Sequence, residues 1–186
     1  MDASNPVPGY VCVHLNDEHF LLDFDTGHDG ALDSWLRDQG KAFAESNRCR
    51  VWVLSPASDP TDVMGFFSLS THSITSDLLE RKDRDGIPKQ WEHPSVLLGK
   101  FAVDRKHQGT SAADILMTYV YLRYRDICEL SGTRFLTLHV REQRLLQYYG
   151  EKFGFRSSSS PAAGHELPMM YKKSESIFQE LTGLST

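Results

Sequence analysis

A polar turn joins a strand-like run to a helix-like run in the middle of the sequence, over residues 100–116 (KFAVDRKHQGTSAADIL). The first backbone N–H groups of a helix have no acceptor inside the helix, and the helix dipole adds partial positive charge at that end. Such a turn can therefore bind anions. Gly109 and the small residues after it would let a phosphate approach the backbone, while Arg105 and Lys106 supply positive charge. A ligand that carries a pyrophosphate is the natural candidate.

The turn does not match two familiar phosphate-binding sequences. The chain contains neither GxxxxGK[ST] nor a GxGxxG with its acidic residue downstream. One glycine in a strand-to-helix turn is also a weak signal, because a tight turn with a serine cap has the same sequence. The rest of the chain must therefore decide whether this turn binds a ligand.

The turn resembles motif A of the GNAT acetyltransferase superfamily, in which [QR]-x-x-G-x-[GA] surrounds the pyrophosphate of acetyl-coenzyme A. Residues 106–111 (KHQGTS) place Gly109 at the first glycine of that pattern. Lys106 replaces Gln or Arg, Ser111 replaces the second small residue, and Ala113 stands where a third glycine is common. The resemblance implies that the coenzyme is bound by Phe101, Ala102, Val103, Lys106, Gln108, Gly109, Thr110, Ser111, Ala112 and Ala113.

Further motifs follow in the order found in acetyltransferases that resemble the toxins of toxin-antitoxin pairs. They span about residues 20–156 and read FDTGHDGALDSWL, GFFSLS, IP, LLGKFAVD and YYGEKFGF. Several spaced motifs in the right order are much more specific than one loop. The resemblance implies a single domain over residues 1–186 with a three-layer GNAT-like α/β fold, whose mixed, mostly antiparallel sheet has helices on both faces.

Acetyl transfer from a thioester to an amine requires a neutral amine, stabilisation of an oxyanion and a proton for the departing thiolate. The resemblance implies that the main chain around Phe101 and Val103 holds the pantetheine arm and offers an N–H to the oxyanion. A splay between this central strand and the run RFLTLHV (residues 134–140) would open the slot for the arm.

The resemblance assigns the thiolate proton to a tyrosine that precedes a Gly-Phe pair. Counting forward from His139 places it at Tyr149, whereas counting backward from Gly154 lands on Gly150, so the chain carries one extra residue. We expect a turn at residues 150–153 to accommodate the insertion, which favours Tyr149, with Tyr148 as the fallback. Sequence alone would favour core packing for this tyrosine pair, and the position within the family reverses that preference.

The sequence identifies no general base with the same clarity. His139, at the end of a strand, could take the amine proton, since an ordinary histidine pKa of about 6.5 allows it. A lone strand histidine is more often a hydrogen-bonded core or rim residue. His72 and His107 have weaker claims.

Periodicity predicts the elements that position these residues. Strands are predicted at residues 10–15, 50–55, 63–71, 95–103, 134–140 and 167–172, and helices at 29–47, from Thr110 or Ser111 to Gly132, at 143–152 and at 176–181. The second and third strands should form an antiparallel hairpin. Residues 72–94, with the charged run ERKDRDG, are expected to be a solvated excursion, and residues 157–164 (SSSSPAAG) a flexible loop.

Composition excludes several classes of protein. The chain has 186 residues, of which 40% are apolar, and its three cysteines lack the spacing of a disulfide scaffold or a metal site. No metal is therefore expected. No apolar run reaches the roughly 18 residues of a membrane helix, and the N-terminus (MDASNPVPGY) lacks the features of a signal peptide. The expected location is the cytoplasm, with no membrane contact.

The charge distribution bears on the partner. Residues 1–79 carry 4 Lys and Arg against 12 Asp and Glu, whereas residues 80–152 carry 13 against 10, within a net charge of -5. An acidic chain is a poor candidate for a protein whose main work is to grip nucleic acid, although a basic face in the middle segment stays open.

The sequence leaves three interpretations of the function. The leading one is an acetyl-CoA-dependent N-acetyltransferase. Toxin-like relatives acetylate the amine of aminoacyl-tRNA, and the acidic first segment keeps a small amine or a protein amino group as an alternative acceptor. An antitoxin partner and a homodimer stay open. The second is a module that binds coenzyme A or a partner without catalysis. The departures from the family pattern at Lys106, Ser111 and Ala113 motivate this interpretation. The third is an α/β domain whose turn binds no phosphate.

Overall fold

The computed structural model describes residues 7–27 and 30–183. The strands are β1 (Tyr10–His14), β2 (Arg50–Pro56), β3 (Gly65–Thr75), β4 (Glu92–Val103), β5 (Phe135–His139), β6 (Arg156–Pro161) and β7 (Pro168–Lys173). The helices are α1 (Ala31–Trp35), α2 (Lys41–Glu45), α3 (Ala112–Ser131), α4 (Gln143–Phe153) and α5 (Ser174–Gly183). A wide π-helical turn, Leu36–Gly40, joins α1 to α2.

The backbone divides into two compact units. Of the described residues, the first unit holds those up to Ser70 together with Gly99–Val120, and the second holds Thr71–Leu98 together with those from Tyr121 onwards. Strands β3 and β4 therefore contribute residues to both units. The single domain expected over residues 1–186 stays a prediction.

In the first unit, β1 pairs antiparallel with β2, and β2 pairs antiparallel with β3. The predicted hairpin is thus confirmed. Val51 and Val53 alternate along β2 and point to the same buried face, where β-branched side chains pack well. Trp35 stacks on Phe66 with ring centroids 6.0 Å apart. The predicted first helix thus packs its apolar stripe on this sheet, although its expected start at Asp29 lies outside the described residues.

In the second unit, the strand order is β3-β4-β5-β7-β6. The β4–β5 pair is parallel, and β7 pairs antiparallel with both β5 and β6. A core of Ile74, Leu79, Phe135, Met169 and Tyr171 covers one face. The mixed, mostly antiparallel sheet predicted from the sequence is confirmed.

Part of the expected solvated excursion at residues 72–94 is ordered and buried, so that prediction was wrong. Strand β3 continues to Thr75, β4 begins at Glu92, and Leu79 between them is fully buried. Asp83, inside the charged run, is only 3% exposed. Its carboxylate accepts two hydrogen bonds from Arg156 Nη1, at 2.9 and 2.8 Å, and one from the Tyr171 hydroxyl at 2.9 Å. The partners that neutralise this charge lie far away in the sequence, where periodicity cannot reveal them.

The prediction of a flexible loop at residues 157–164 is also wrong for the first half of that segment. Strand β6 occupies Arg156–Pro161 and pairs with β7, with a register shift between Ser157 and Pro161. Because β6 ends the strand order and pairs only with β7, it needs no apolar alternation. Pairing with β7 therefore orders a serine-rich segment whose composition alone is typical of a loop.

The buried carboxylate of Asp83 makes the free energy of unfolding depend on pH. Burial alone would raise the pKa of Asp83, but the hydrogen bonds from Arg156 and Tyr171, together with the charges of Arg156 and Lys173, outweigh burial and hold the pKa below its ordinary value. The stabilisation is therefore complete above the ordinary aspartate pKa of about 3.9 and is lost as the pH falls through the lowered folded value. We expect Asp83→Asn to lower the free energy of unfolding by about 2 kcal/mol at neutral pH.

Urea unfolding between about pH 7 and pH 2 would measure this effect. Asp77→Asn, in the same segment but at an exposed aspartate, is the control. The loss on Asp83→Asn should shrink toward acid pH because the native carboxyl then loses its charge as well. Equal unfolding free energies for Asp83→Asn and the unmodified chain at pH 7 would contradict the structural role.

Candidate active site

The turn between β4 and α3, in the first unit, leaves its backbone open. It contains a 3-10 turn, Arg105–His107, followed by Gly109 with a φ of 75°. Glycine adopts this left-handed conformation without steric cost. A Cβ added at Gly109 would have no atom within 4 Å, so the glycine faces open space. A ligand can therefore approach the main chain here.

Several backbone N–H groups of this turn are left without an acceptor among the described residues. Within the described residues, the N–H groups of Gly109, Ser111 and Ala113 donate to no protein acceptor. Thr110 Oγ1 accepts from Ala112 N at 3.2 Å and donates to the His107 carbonyl at 2.6 Å, so the threonine is the predicted cap. Unpartnered donors at the start of a 20-residue helix can bind an anion.

A buried aspartate, Asp104, holds the base of the turn and was not predicted as a site residue from the sequence. Its Oδ2 accepts from Asp25 N at 3.0 Å and its Oδ1 from Lys106 N at 2.8 Å. Arg105 N also donates to the Asp25 carbonyl, at 2.6 Å. The signal was present: an aspartate directly after a buried strand commonly bonds the N–H two residues on. Asp104 thereby fixes the shape of the turn between β4 and α3.

The side chain of Gln108, a predicted coenzyme ligand, bonds to the protein backbone. Its Nε2 donates to the Thr26 carbonyl at 2.8 Å and to the Val103 carbonyl at 3.1 Å. Thr26 in turn donates its N–H to buried Asp33 Oδ1 at 3.1 Å. The Gln108 amide therefore braces the turn, and contact with a coenzyme would fall to the backbone.

The ten predicted coenzyme residues lie together in one strand, turn and helix of the first unit. Along β4, Ala102 is buried, whereas Phe101 and Val103 are partly exposed. Lys106 is exposed in the turn, and Ala112 is buried at the start of α3. Their roles toward a ligand stay predictions.

In the second unit, the parallel pairing of β4 with β5 is short. It joins Ser95 to Phe135 and ends with Leu97 opposite Thr137. Strand β5 continues to His139, whose registered partner is Met169 on β7. The parallel pairing thus ends at Leu97, and the splay expected between the two strands stays a prediction.

Tyr149 is 8% exposed and lies among aromatic rings. The ring centroids of Tyr148, Phe153 and Phe155 are 5.2, 6.1 and 6.0 Å from its own. Burial, followed by the neighbouring Tyr148, raises the pKa of Tyr149. Its hydroxyl therefore keeps its proton at neutral pH, which a proton donor requires.

The expected turn at residues 150–153 does not exist. Helix α4 continues to Phe153 and ends at Gly154, whose φ is 67°. The extra residue is not absorbed there, so that reason for choosing Tyr149 was wrong. Successive residues of a helix point about 100° apart, so Tyr148 and Tyr149 face different directions. Tyr148 is half-buried and Tyr149 is buried. The choice of Tyr149 as proton donor stays a prediction.

His139 lies in a cluster of three histidines in the second unit, apart from the aromatic rings around Tyr149. Its ring stacks on His165 with centroids 3.8 Å apart and meets the edge of His72 at 6.0 Å. Burial, then His165 and His72, lowers the pKa of His139 to about 4. Its Nδ1 is buried and has no hydrogen-bond partner among the described residues. The sequence could not reveal this cluster, because its members come from β3, β5 and the segment between β6 and β7.

A cavity of about 390 Å³ opens beside His72. Acidic side chains of Asp77 and Glu92 line it, together with apolar Leu78 and Met169. Throughout residues 7–27 and 30–183, no group of three or more His, Cys, Asp or Glu side chains is arranged to hold a metal ion. Over the same residues, the helices are too short or too polar to cross a membrane.

The fold is that of the GNAT-type toxins, as the motif order predicted. No family model matches the chain. The chain is 25% identical over 146 residues to the probable toxin TacT of Sinorhizobium fredii, an alignment that covers 74% of this chain and 79% of that protein.

Solved structures of two toxins confirm the α/β fold. A tyrosine-to-phenylalanine mutant of KacT matches with a TM-score of 0.81 and 20% identity, over 92% of this chain and 99% of KacT. AtaT complexed with acetyl-methionyl-tRNAfMet matches with a TM-score of 0.78 and 21% identity, over 92% and 98%. A tyrosine-to-phenylalanine mutant of AtaT, bound to the C-terminus of the antitoxin AtaR and to acetyl-CoA, matches at 0.72 and 21%, over 94% and 99%.

Proposed function

We propose that the chain is an acetyl-CoA-dependent N-acetyltransferase of the toxin type, which acetylates the amine of an aminoacyl-tRNA. The open turn after β4 carries this proposal, because the N–H groups of Gly109, Ser111 and Ala113 offer an anion site with no protein acceptor among the described residues. The complexes of AtaT with acetyl-CoA and with acetyl-methionyl-tRNAfMet support the coenzyme and the acceptor.

The first unit would bind the coenzyme. The turn donates its N–H groups to the diphosphate, and exposed Lys106 adds positive charge. The partly exposed backbone at Phe101 and Val103 would hold the pantetheine arm, and a main-chain N–H of β4 would donate to the oxyanion. Asp104 fixes the turn in this shape before the ligand arrives, which lowers the entropy lost on binding.

The second unit would supply the proton transfers. Tyr149 donates a proton to the departing thiolate, with Tyr148 as the alternative donor. The tyrosine-to-phenylalanine mutants of KacT and AtaT support a tyrosine in this role, since that change removes only the phenolic hydroxyl. His139, whose pKa is lowered to about 4, is neutral at pH 7 and could accept the amine proton.

The partners follow from the reaction. The complex of AtaT with the antitoxin AtaR supports an antitoxin protein as a partner. Because aminoacyl-tRNA is used in the cytoplasm, we propose that the chain acts there. The homodimer left open by the sequence is tested neither by the structure nor by these complexes.

A coenzyme-binding module without catalysis is the second candidate. The burial of Tyr149 and the engagement of Gln108 with the backbone favour it. Calorimetry with acetyl-CoA, followed by thiol release on a panel of amines, separates the two candidates. Binding without release on any amine would select the module.

We expect acetylation of methionyl-tRNA to fall at least about tenfold between 50 and 200 mM salt, because even a few phosphate contacts release counterions on binding. Acetylation of methionine amide should change little over this range. Labelled acetyl incorporation into each acceptor measures both rates. A chain that acetylates methionine amide but not methionyl-tRNA at any salt concentration would show that the acceptor is a small amine.

A further inference from the structure

His72 is held by hydroxyl groups from two neighbouring strands. Its Nδ1 lies 3.1 Å from Thr137 Oγ1 on β5 and 3.2 Å from Ser95 Oγ on β4. Ser95 begins the short pairing of β4 with β5, and Thr137 ends it. His72 therefore lies in the second unit at the level where the two strands stop pairing.

The hydrogen bonds select the tautomer of His72. Thr137 Oγ1 lies 3.1 Å from the Val96 carbonyl, which can only accept a hydrogen bond. The single hydroxyl proton of Thr137 therefore goes to Val96, and Thr137 Oγ1 is left to accept from His72 Nδ1. Ser95 Oγ can accept from the same N–H. Nδ1 of His72 then carries the proton, and Nε2 carries the lone pair. This arrangement leaves Nε2 as the ring atom that can take a proton.

The surroundings of His72 suit an amine. His72 lines the 390 Å³ cavity together with Asp77 and Glu92, two carboxylates that attract a cation. Met169 and Leu78 supply an apolar wall of the same cavity. An aminoacyl group combines an ammonium group with a side chain, and its chemistry matches this lining.

We propose that His72 accepts the proton of the acceptor amine at Nε2, and that the cavity beside it receives the aminoacyl end of the acceptor. This inference rests on the proposed function and adds the base and the acceptor pocket to it. His72 takes a proton from the ammonium group at Nε2 and passes it to water. The neutral amine then forms a bond to the thioester carbon, and the carbon–sulfur bond breaks. The thiolate takes a proton from the donor tyrosine, and the tyrosinate regains one from the acetylated nitrogen.

His72 is a better base than His139. Burial lowers the pKa of both rings, but the carboxylate of Glu92 on β4 acts on His72 in the opposite direction. His165 disfavours the charge on both rings, and His139 receives no compensating carboxylate. His72 thus keeps more of its basicity, and Asp77 adds a further carboxylate to the lining of the cavity.

His72→Gln should lower the rate of acetyl transfer to methionyl-tRNA about tenfold at pH 7. The deficit should shrink toward pH 9, because the α-amino group, with a pKa of about 8, is then neutral without help. A merely structural role would give the same deficit at every pH. The acetyl-CoA dissociation constant should stay within about twofold.

His93→Gln is the matched control. His93 is another buried histidine of the same unit, and its Nε2 bonds to Ser76 Oγ at 2.7 Å rather than facing the cavity. This variant should keep the pH profile of the unmodified chain even if it lowers the melting temperature. Wild-type rates and an unchanged pH profile for His72→Gln would overturn the assignment. If the unmodified chain acetylates none of the amines tested, the proposed function itself is overturned.

If His72→Gln does not fold, two variants of Thr137 test the role of His72 as the base. Thr137→Val removes the acceptor that fixes the tautomer, whereas Thr137→Ser keeps a hydroxyl. We expect Thr137→Val to lower the rate about threefold with the same recovery at high pH, and Thr137→Ser to restore it. Equal rates and equal pH profiles for the two variants would overturn the proposed role of His72.

Discussion

Tyr149→Phe should lower the turnover of acetyl transfer about a hundredfold. The change removes one hydroxyl and leaves the ring among Tyr148, Phe153 and Phe155, so packing is preserved. The thiolate would then depart without a proton. Steady-state kinetics with methionyl-tRNA, together with calorimetry for acetyl-CoA, measures turnover and binding separately. Coenzyme affinity should stay within about twofold of the unmodified chain.

Tyr148→Phe is the matched comparison, because the neighbouring tyrosine faces another side of α4 and is only half-buried. We expect a change of less than about threefold. If Tyr148→Phe shows the large loss and Tyr149→Phe does not, the fallback residue is the donor. If neither variant loses turnover, a tyrosine donor on α4 is excluded.

Gly109→Asp should weaken acetyl-CoA binding about thirtyfold. The substitution places a carboxylate where the diphosphate would lie, and at this exposed position two like charges a few ångströms apart repel by about 2 kcal/mol, which corresponds to about thirtyfold in affinity. It also adds a Cβ at a φ of 75°, which costs about 1 kcal/mol. Isothermal titration with acetyl-CoA gives the dissociation constant directly.

Gly9→Asp controls for the backbone cost. Gly9 belongs to the same unit, has a φ of 85° and, like Gly109, would give a Cβ no neighbour within 4 Å. Its variant should lose similar stability and no coenzyme affinity. Equal dissociation constants for Gly109→Asp and Gly9→Asp would remove the turn from coenzyme binding.

Local patterns predicted much of the fold. The strand-like run RVWVLS (residues 50–55) identified β2, and a glycine stop at Gly132, whose φ is 65°, identified the end of α3. These features depend on residues that are neighbours in the sequence. The strand-turn-helix around Gly109 was found in the same way, and the open backbone there has the form that its sequence predicted.

Features that depend on distant partners could not be predicted from the sequence. Asp83 can be buried because Arg156 neutralises its charge and Tyr171 donates a hydrogen bond to it, and β6 is a strand because β7 pairs with it. The turn expected at residues 150–153 failed for a local reason. Glu151 and Lys152 are good helix formers, and Phe153 follows Tyr149 by one helical turn onto the buried face, so the helix continues.

The candidate site was predicted unevenly for the same reason. The candidate coenzyme turn is contiguous in the sequence, so its backbone shape could be predicted from it; its ligand stays a prediction. The cluster of His72, His139 and His165 is assembled by the sheet from separate segments. Only the tertiary structure shows that His72 has its Nδ1 fixed by Thr137 and shares a cavity with two carboxylates.

A crystal structure of the chain with acetyl-CoA tests the central claim most directly. The account predicts the diphosphate on the N–H groups of Gly109, Ser111 and Ala113, with Asp104 unchanged beneath the turn. A coenzyme bound elsewhere on the chain, with this turn empty at saturating concentration, would contradict it.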